Sequence, residues 1–140
     1  MNNREIKFRV WDKIKNKFVS QSELAINGNG ILLITTSGYY NDFENQNSND
    51  FVIQQFTGLK DKNEKEIYEG DILKIKVSGS LLIFDLGTYI ASVEWGNCKW
   101  KLNILTEKNK HENFNPDFYE DSGREYEIIG NIFENPELLK

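Results

Sequence analysis

The sequence predicts a mainly β fold, and three observations lead to this prediction. Aromatic residues make up 13% of the 140 residues, Ile and Val are frequent and there are only two prolines, which favours a folded β-rich core over a disordered chain. Apolar and polar residues alternate over several short segments, most clearly over residues 71–77. Gly and Asn separate these segments at short intervals, a spacing typical of a β meander or barrel.

The N-terminal third, residues 1–50, is predicted to be a smaller β-rich subdomain. Its first strand alternates between two faces, a core face with Ile6, Phe8 and Val10 and an opposite face with Lys7, Arg9 and Trp11. Residues 17–20 are expected to return as the second strand of a hairpin, and residues 27–30 (NGNG) form a turn before a strand at 31–36. Residues 38–50 are rich in Asn, Asp, Ser and Tyr, so we expect a long loop and an internal boundary there.

A central block, residues 56–77, organises the rest of the chain. After a strand at 51–56, residues 60–66 hold six charged residues and one Asn, which predicts a solvated connection. Gly70 supplies a backbone free of a Cβ clash at a sharp turn, and the Asp71 side chain can accept hydrogen bonds from nearby amides. The next strand has two predicted faces, a buried one with Leu73, Ile75 and Val77 and an opposite one with Ile72, Lys74 and Lys76. A Gly-Asp turn before such a strand recurs at the opening of small SH3-like barrels.

The remaining segments complete a predicted SH3-like barrel region, residues 51–140. Strands are expected at 81–86, 89–95 and 98–105, followed by a loop at 106–123 with a short helix around 117–121. The last strand is predicted to align four residues on one side, namely Tyr126, Ile128, Gly130 and Ile132. A short C-terminal helix is expected from a cap, a proline at the first helical position and an acidic first turn, in the segment Asn135-Pro136-Glu137. We expect the two regions to form one compact unit.

Three segments resemble the YopX family of phage and prophage proteins, and they lie in the order found in that family. They are REIKFRVWD (4–12), FTGLKDKNEKEIYEGDILKIK (56–76) and EIIGNIFENPELL (127–139). The resemblance implies an SH3-like barrel with a smaller β-rich part, and it is compatible with assembly as a homo-oligomer. The family has no established activity, so the resemblance implies no catalytic residues. Asn63-Glu64 stands where members commonly have Asn-Gly, which predicts a longer tip than a two-residue hairpin.

Composition limits the class of function and the location. A net charge of −5 and a pI near 5.0 disfavour nonspecific binding to nucleic acid or to anionic membranes, since both are held mainly by clustered Lys and Arg. Cys98 is the sole cysteine, so an intrachain disulfide is excluded and a cytosolic protein is favoured. No apolar run has the length of a signal sequence or of the ~20 residues of a membrane span. We expect a soluble protein in the cytoplasm of an infected or lysogenic bacterial host, with no membrane partner.

No residue is predicted to be catalytic, to bind a cofactor or to ligate a metal. His111, the only histidine, lies in a polar segment without a second ligand at metal-binding spacing. Cys98 has no base marked near it and is expected to act as a small packing residue. Four acidic residues could form paired carboxylates, but their spacing lacks the pattern of a calcium loop, so solvated charges are expected at Glu120, Asp121, Glu125 and Glu127.

Two further patterns have both a functional and a structural interpretation. Residues 27–30 precede a strand and no Gly-Lys-Ser/Thr follows them, so we predict a turn instead of a phosphate site. Trp11, Trp95 and Trp100 could offer a stacking platform for bases or a pocket for a proline-rich peptide, and Lys99 and Lys101 flank Trp100. The structural interpretation, in which the tryptophans fill a core or an interface, is favoured because bulky aromatics dominate β cores.

Charge is unevenly distributed along the chain. Residues 1–19 hold six basic and two acidic residues, a net of +4, whereas residues 112–140 hold eight acidic and two basic residues, a net of −6. These segments are either two solvated faces of a monomer or complementary surfaces that meet, within one chain or between subunits.

The function predicted from these observations is that of a non-catalytic binding or assembly module of a phage or prophage. We expect a homo-oligomer, with a phage or host protein as a further candidate partner, and no cofactor. Two alternatives stay open. One is a nucleic-acid-binding accessory protein that uses the basic N-terminal face and exposed aromatics, although nucleic acid is not the expected partner. The other is an enzyme with an unrecognised carboxylate site.

Overall fold

The computed structural model divides into two units by its backbone contacts. Residues Lys7–Gln54 form one unit, here called the N-terminal unit, and Met1–Ile6 with Gln55–Lys140 form the other, called the larger unit. The structure describes residues 5–27, 29, 32–35, 43–45, 49–78, 85–105, 117–118 and 123–140. Eleven strands within these ranges confirm the predicted mainly β fold. None of the helices in the same ranges combines the length and the apolar character needed to cross a membrane. The domain division expected at residue 50 stays a prediction.

The N-terminal unit contains short antiparallel strands. They are β1 (Phe8–Asp12), β2 (Lys17–Phe18), β3 (Leu24–Ile26), β4 (Leu32–Thr35), β5 (Phe43–Asn45) and the first residues of β6 (Phe51–Lys60), with a 3₁₀ helix at Gln21–Glu23. β1 and β2 form the predicted hairpin, with Trp11 opposite Phe18, and β6 is the other neighbour of β1. A separate sheet has the order β3-β4-β5.

Two residues in or next to β1 depart from the predicted alternation. Val10 is fully buried and packs with Leu32 and Ile34, as expected for a core residue. Trp11, predicted on the opposite face, is also buried, because its ring packs edge-on against Phe18 with centroids 5.0 Å apart. Ile6, predicted in the core, precedes the strand and is 63% exposed.

The long loop expected at residues 38–50 contains a strand. β5 pairs antiparallel with β4, with Leu33 opposite Asn45 and Thr35 opposite Phe43. The prediction of a continuous loop was therefore wrong at residues 43–45, because backbone hydrogen bonding to β4 does not require apolar side chains. Residues 36–42 and 46–48 lie outside the described residues, as do Gly28 and Gly30 of the predicted turn.

The larger unit is organised by long antiparallel strands. They are the end of β6, β7 (Glu66–Tyr68), β8 (Asp71–Ser78), β9 (Asp85–Gly96), β10 (Lys99–Ile104) and β11 (Arg124–Asn131). β6 pairs with β7, and a four-stranded sheet has the order β10-β9-β8-β11. In this sheet β8 pairs antiparallel with β9, with Leu73 opposite Ala91 and Ile75 opposite Tyr89.

One face of the four-stranded sheet carries the core of the larger unit. Leu73, Ile75 and Tyr126 are buried in it, as the alternation predicted, and Lys74 and Lys76 are exposed on the other face. Ile72 was predicted on that other face and is instead fully buried. The reason is that Asn135 and Leu138 pack against its cross-strand neighbour Gly130, where an added Cβ would lie 2.7 Å from Asn135 Oδ1 and 2.9 Å from Leu138 Cδ1. Its neighbour on β9, Ser92, is itself buried.

The C-terminal helix of the prediction is a single 3₁₀ turn. It spans Pro136–Leu139, with Pro136 in the first turn, and Asn135 makes no side-chain capping bond to it. The short helix expected at 117–121 is contradicted at its start, because Asp117 forms an isolated antiparallel bridge with Lys101. Residues 119–121 and 81–84 lie outside the described residues.

Candidate functional site

The β9–β10 hairpin ends in a two-residue turn, Asn97-Cys98. Gly96 lies opposite Lys99, and the two turn residues have φ values of 53° and 60°. Two consecutive positive φ values in a two-residue hairpin loop define a type I′ turn, which matches the twist of the flanking strands. The turn therefore holds the two strands in tight register where they carry Trp95 and Trp100.

Trp95 and Trp100, here called the tryptophan pair, are direct cross-strand partners. Their ring centroids are 4.9 Å apart at an interplanar angle of 72°, an edge-to-face contact. Trp100 packs against the core of the larger unit, whereas Trp95 remains 51% exposed. The Trp95 indole ring is therefore held by its contact with Trp100 and is also exposed to solvent.

The lysines beside Trp100 do not join the tryptophan pair in one surface. Side chains alternate along β10, so Lys99 and Lys101 lie on the face opposite Trp100. The Lys99 ammonium is bound to the Asp117 carboxylate at 2.7 Å. The Lys101 side chain lies across Gly96, where an added Cβ would be 3.7 Å from its Cδ. The basic-aromatic arrangement seen in the sequence is thus divided between two faces of the hairpin.

Trp11 is not part of an exposed aromatic surface. It is 4% exposed and lies in the N-terminal unit, against Phe18. For Trp11 the structural interpretation as core filler is confirmed, whereas for the half-exposed Trp95 both interpretations stay predictions.

Glu125 and Glu127 are ion-paired instead of forming an acid–base pair. The Lys62 ammonium lies 2.8 Å from a Glu127 oxygen and 3.7 Å from a Glu125 oxygen. The hydrogen bond with Glu127 raises the pKa of Lys62 and lowers the pKa of Glu127. Both groups of this bond are charged at neutral pH, so neither is poised to exchange a proton. Glu120 and Asp121 lie outside the described residues.

Asp61 belongs to the charged segment 60–66, but it is buried. It was expected in a solvated connection, but it is 4% exposed. Its carboxylate accepts hydrogen bonds from the backbone amides of Asn63 at 2.7 Å, Lys65 at 3.0 Å and Ile128 at 3.2 Å. Burial acts to raise the pKa of Asp61, but the hydrogen bonds from Lys65, Ile128 and Asn63 outweigh it and hold this pKa below its ordinary value of 3.8.

The position of Asp61 at the start of a turn is the sequence feature that could have predicted its hydrogen bonds to backbone amides. The amide of Glu64 donates to the Asp61 carbonyl at 3.0 Å and the amide of Asp61 donates to the Lys65 carbonyl at 2.8 Å, which makes residues 61–65 a turn longer than two residues, as predicted. Asp is favoured at the first position of such turns, because its side chain accepts from amides two residues on. Only the hydrogen bond from the Ile128 amide, 67 residues away, could not be predicted from the local sequence.

The other candidate residues do not assemble into a reactive group. Cys98 was expected to be a packing residue, and this was wrong, because the turn leaves its thiol exposed. His111 lies outside the described residues. Within the described part of the chain, no three His, Cys, Asp or Glu side chains come close enough to hold a metal ion. The prediction that the protein has no catalytic, cofactor-binding or metal-binding residues stays a prediction.

Comparison with known families identifies the chain. The family model described as "YopX protein" matches residues 7–140. The chain belongs to the YopX family. Among solved structures, the crystal structure of protein EF1440 from Enterococcus faecalis is similar to this YopX-family chain, with 26% sequence identity and a TM-score of 0.57, over 99% of this chain and 100% of the other. No match was found among curated proteins.

The solved structure supports the fold of this YopX-family chain, since the alignment covers 99% of this chain with a TM-score of 0.57. Neither the description of the family nor that of EF1440 names a substrate or a partner.

Proposed function

We propose that this YopX-family protein is a non-catalytic binding or assembly module of a phage or prophage, and that the tryptophan pair is its main contact surface. The observation that carries the proposal is Trp95, half-exposed yet held edge-to-face by Trp100. A fixed aromatic ring loses little conformational entropy when a partner covers it, and Trp is enriched among the residues that dominate interface energies.

A protein surface is the partner that this site fits. The chain carries a net charge of −5. The lysines nearest Trp100 in the sequence lie on the face of β10 opposite the Trp100 side chain. Nucleic-acid stacking sites combine aromatic rings with cations along the same groove. Among the residues that the structure describes, β9 and β10 place no cation on the face of the tryptophan pair, so its apolar ring is suited to the apolar surface of a protein.

The partner proposed first is a second copy of this chain, in the cytoplasm of the bacterial host. One further feature supports assembly, namely the opposite net charges of residues 1–19 and 112–140. A phage or host protein is the other candidate. The larger unit is proposed to be an SH3-like barrel, supported by the Gly70-Asp71 turn that opens β8 and by the β8-β9-β10 meander.

Light scattering tests the assembly. The wild-type protein is expected to show a mass above 16.4 kDa at low salt and a partial loss of that mass near 1 M salt, where charges are screened beyond ~3 Å. Trp95→Ala should return the mass toward the monomer. Asn103→Ala is the matched control, since Asn103 is an exposed residue of the same hairpin and its side chain faces away from the tryptophan pair.

A pull-down from phage-infected cells, repeated with nuclease, covers the other candidate partner. A protein captured by the wild type and by Asn103→Ala, but lost with Trp95→Ala, supports a heterologous partner at the tryptophan pair. A monomer at every concentration, together with identical captures by all three proteins, contradicts the proposal.

A further inference from the structure

β11 lies at one end of the four-stranded sheet of the larger unit. It is eight residues long, and among the strands that the structure describes only β8 pairs with it. In an antiparallel ladder the backbone groups of successive residues point alternately toward the partner strand and away from it. The Tyr126 carbonyl and the Ile128 amide point away from β8, since both bond to the 61–65 turn. A strand edge with outward backbone groups is a template for pairing with another chain.

The 61–65 turn takes the place that a neighbouring strand would occupy. The Lys62 amide donates to the Tyr126 carbonyl at 2.9 Å, and Asp61 Oδ2 accepts from the Ile128 amide at 3.2 Å. A paired antiparallel strand would supply one donor and one acceptor at the same two positions, so the Asp61 carboxylate substitutes for a strand carbonyl. The pairing ends there because the chain reverses, with the Asp61 amide donating to the Lys65 carbonyl at 2.8 Å.

Two further sets of contacts hold the turn on this edge. Asp61 Oδ1 accepts from the amides of Asn63 at 2.7 Å and Lys65 at 3.0 Å, so the carboxylate that reaches β11 also closes the turn. The Lys62 ammonium lies 2.8 Å from a Glu127 oxygen on β11. Because the Asp61 side chain both closes the turn and binds the edge, its removal should loosen the two together.

Without the turn, the edge of β11 is suited to the same edge of a second copy of this chain. Antiparallel pairing of two identical edges places the donors of each opposite the acceptors of the other, with twofold symmetry. Tyr126 and Ile128, an aromatic and a β-branched residue, favour a sheet of this kind. Glu125 and Glu127 oppose it, because they share one face of β11 and would meet the glutamates of the second copy.

We propose that the 61–65 turn prevents two copies of this chain from pairing through β11, because it occupies the outer edge of that strand. This edge is separate from the tryptophan pair, which lies on β9 and β10. The two surfaces also differ in their response to salt. Screening weakens assembly between oppositely charged segments, whereas it relieves the repulsion between glutamates of two paired β11 edges.

Light scattering over a range of protein concentrations tests the proposal on the full chain, in a Trp95→Ala background that removes the tryptophan pair. Asp61→Ala removes the carboxylate, and Lys62→Pro removes the amide that donates to Tyr126 together with the ammonium bound to Glu127. Proline suits position 62, because the Glu64 amide bonds the Asp61 carbonyl and Glu64 has a φ of 62°, the pattern of a type I turn followed by a left-handed residue. Each variant should raise the self-association constant by on the order of tenfold, the scale of one backbone hydrogen bond.

Charge-neutral variants show whether the association uses β11. Glu127→Gln added to Lys62→Pro should strengthen association by about 2–5-fold, and high salt should act in the same direction. Glu94→Gln is the charge-matched control, since Glu94 is exposed on β9, a strand with neighbours on both sides. Glu64→Ala is the control within the turn, because the Glu64 side chain is exposed and pairs with Lys60. Neither control should change the mass.

The proposal is wrong if both opened variants keep the mass of the background protein at every concentration, or if high salt dissociates their assemblies. If one opened variant fails to fold, the other decides. Loss of the folded state in both also contradicts the proposal, because the two bonds would then serve folding and not the separation of two copies. Since every variant carries Trp95→Ala, this edge and the tryptophan pair fail or succeed separately.

Discussion

At Gly70 the chain turns into β8 with a φ of 78°. The turn is closed by the amide of Tyr68, which donates to an Asp71 carboxylate oxygen at 2.9 Å, and by the Gly70 amide, which donates to the Val93 carbonyl at 2.8 Å. A residue with a Cβ is strained in this left-handed region, and a β-branched one most of all. The conformation and the buried environment of Gly70 together make glycine the residue that fits.

We expect Gly70→Val to cost ~1–3 kcal/mol of unfolding free energy, because the valine is forced into a disfavoured backbone region. Glu64→Ala is the control, since Glu64 is exposed and its contact with Lys60 at 3.4 Å is a surface ion pair, so a cost under ~0.5 kcal/mol is expected. Denaturant unfolding measures both. Equal midpoints for the two variants would show that the Gly70 turn does not have this role.

At Cys98 the situation is the reverse of that at Gly70, because a residue with a Cβ occupies a left-handed backbone position that suits glycine. With Asn97 before it and a φ of 60°, the position is the second of a type I′ turn, where Asn-Gly is the preferred pair. We therefore expect Cys98→Gly to stabilise the protein by roughly 0.5–1 kcal/mol, the strain relieved less the entropy of a more flexible unfolded chain. Cys98→Ala keeps a Cβ and should stay near the wild type. A destabilised Cys98→Gly in thermal or denaturant unfolding would refute this account.

Among the elements, the turn at residues 61–65 shows how one carboxylate joins two distant segments. The amide of Lys62 donates to the Tyr126 carbonyl at 2.9 Å, and the Asp61 side chain accepts from the Ile128 amide. These contacts cover an edge of β11, whose other edge pairs with β8. An edge strand covered in this way offers fewer free backbone groups to another chain.

The ionised form of Asp61 should make stability depend on pH in the acid range. Its pKa in the folded protein lies below the ordinary value of 3.8, so the stabilisation is present above pH 3.8 and is lost as the pH falls through the folded-state pKa. Asp61→Asn should cost ~1–3 kcal/mol at pH 7, since it weakens the bonds to buried amides.

The comparison with an exposed carboxylate of the same turn isolates this effect. In denaturant unfolding, the difference between wild type and Asp61→Asn should shrink as the pH is lowered below 3.8, whereas Glu64→Gln should follow the wild type at each pH. A difference that stays constant down to the lowest pH at which the protein folds would show that the charge of Asp61 is not what holds the turn.

For the molecule as a whole, the negative net charge predicts weak binding to nucleic acid. The chain carries −5, and the lysines near the exposed tryptophan are on the other face of β10, with Lys99 bound to Asp117. Binding to random duplex DNA at physiological salt should be no tighter than ~10⁻⁴ M, the weak end of nonspecific affinity. Micromolar binding in a fluorescence-anisotropy titration would favour the nucleic-acid alternative instead.

Much of the secondary structure followed from local chemistry. The turn at Gly70-Asp71 was predictable because positive φ and side-chain acceptance by Asp are properties of the residues themselves. The alternation that placed Leu73 and Ile75 in the core follows from the pleat of a strand. The 3₁₀ turn after Asn135 was expected as a helix, since a proline and an acidic residue mark where such a turn begins but not how many residues it includes.

The sequence by itself determined the β class, the main turns and the family, because each rests on residues close together in the chain or on the order of motifs along it. Only the tertiary structure decided which individual side chains are buried. Asp61 is buried because Ile128 lies against it, and Ile72 because the C-terminal segment packs against its cross-strand neighbour Gly130. Trp95 stays half-exposed although the alternation of β9 puts it on the core face. The exposure of a side chain depends on which distant segment covers it, and local sequence patterns do not specify that segment.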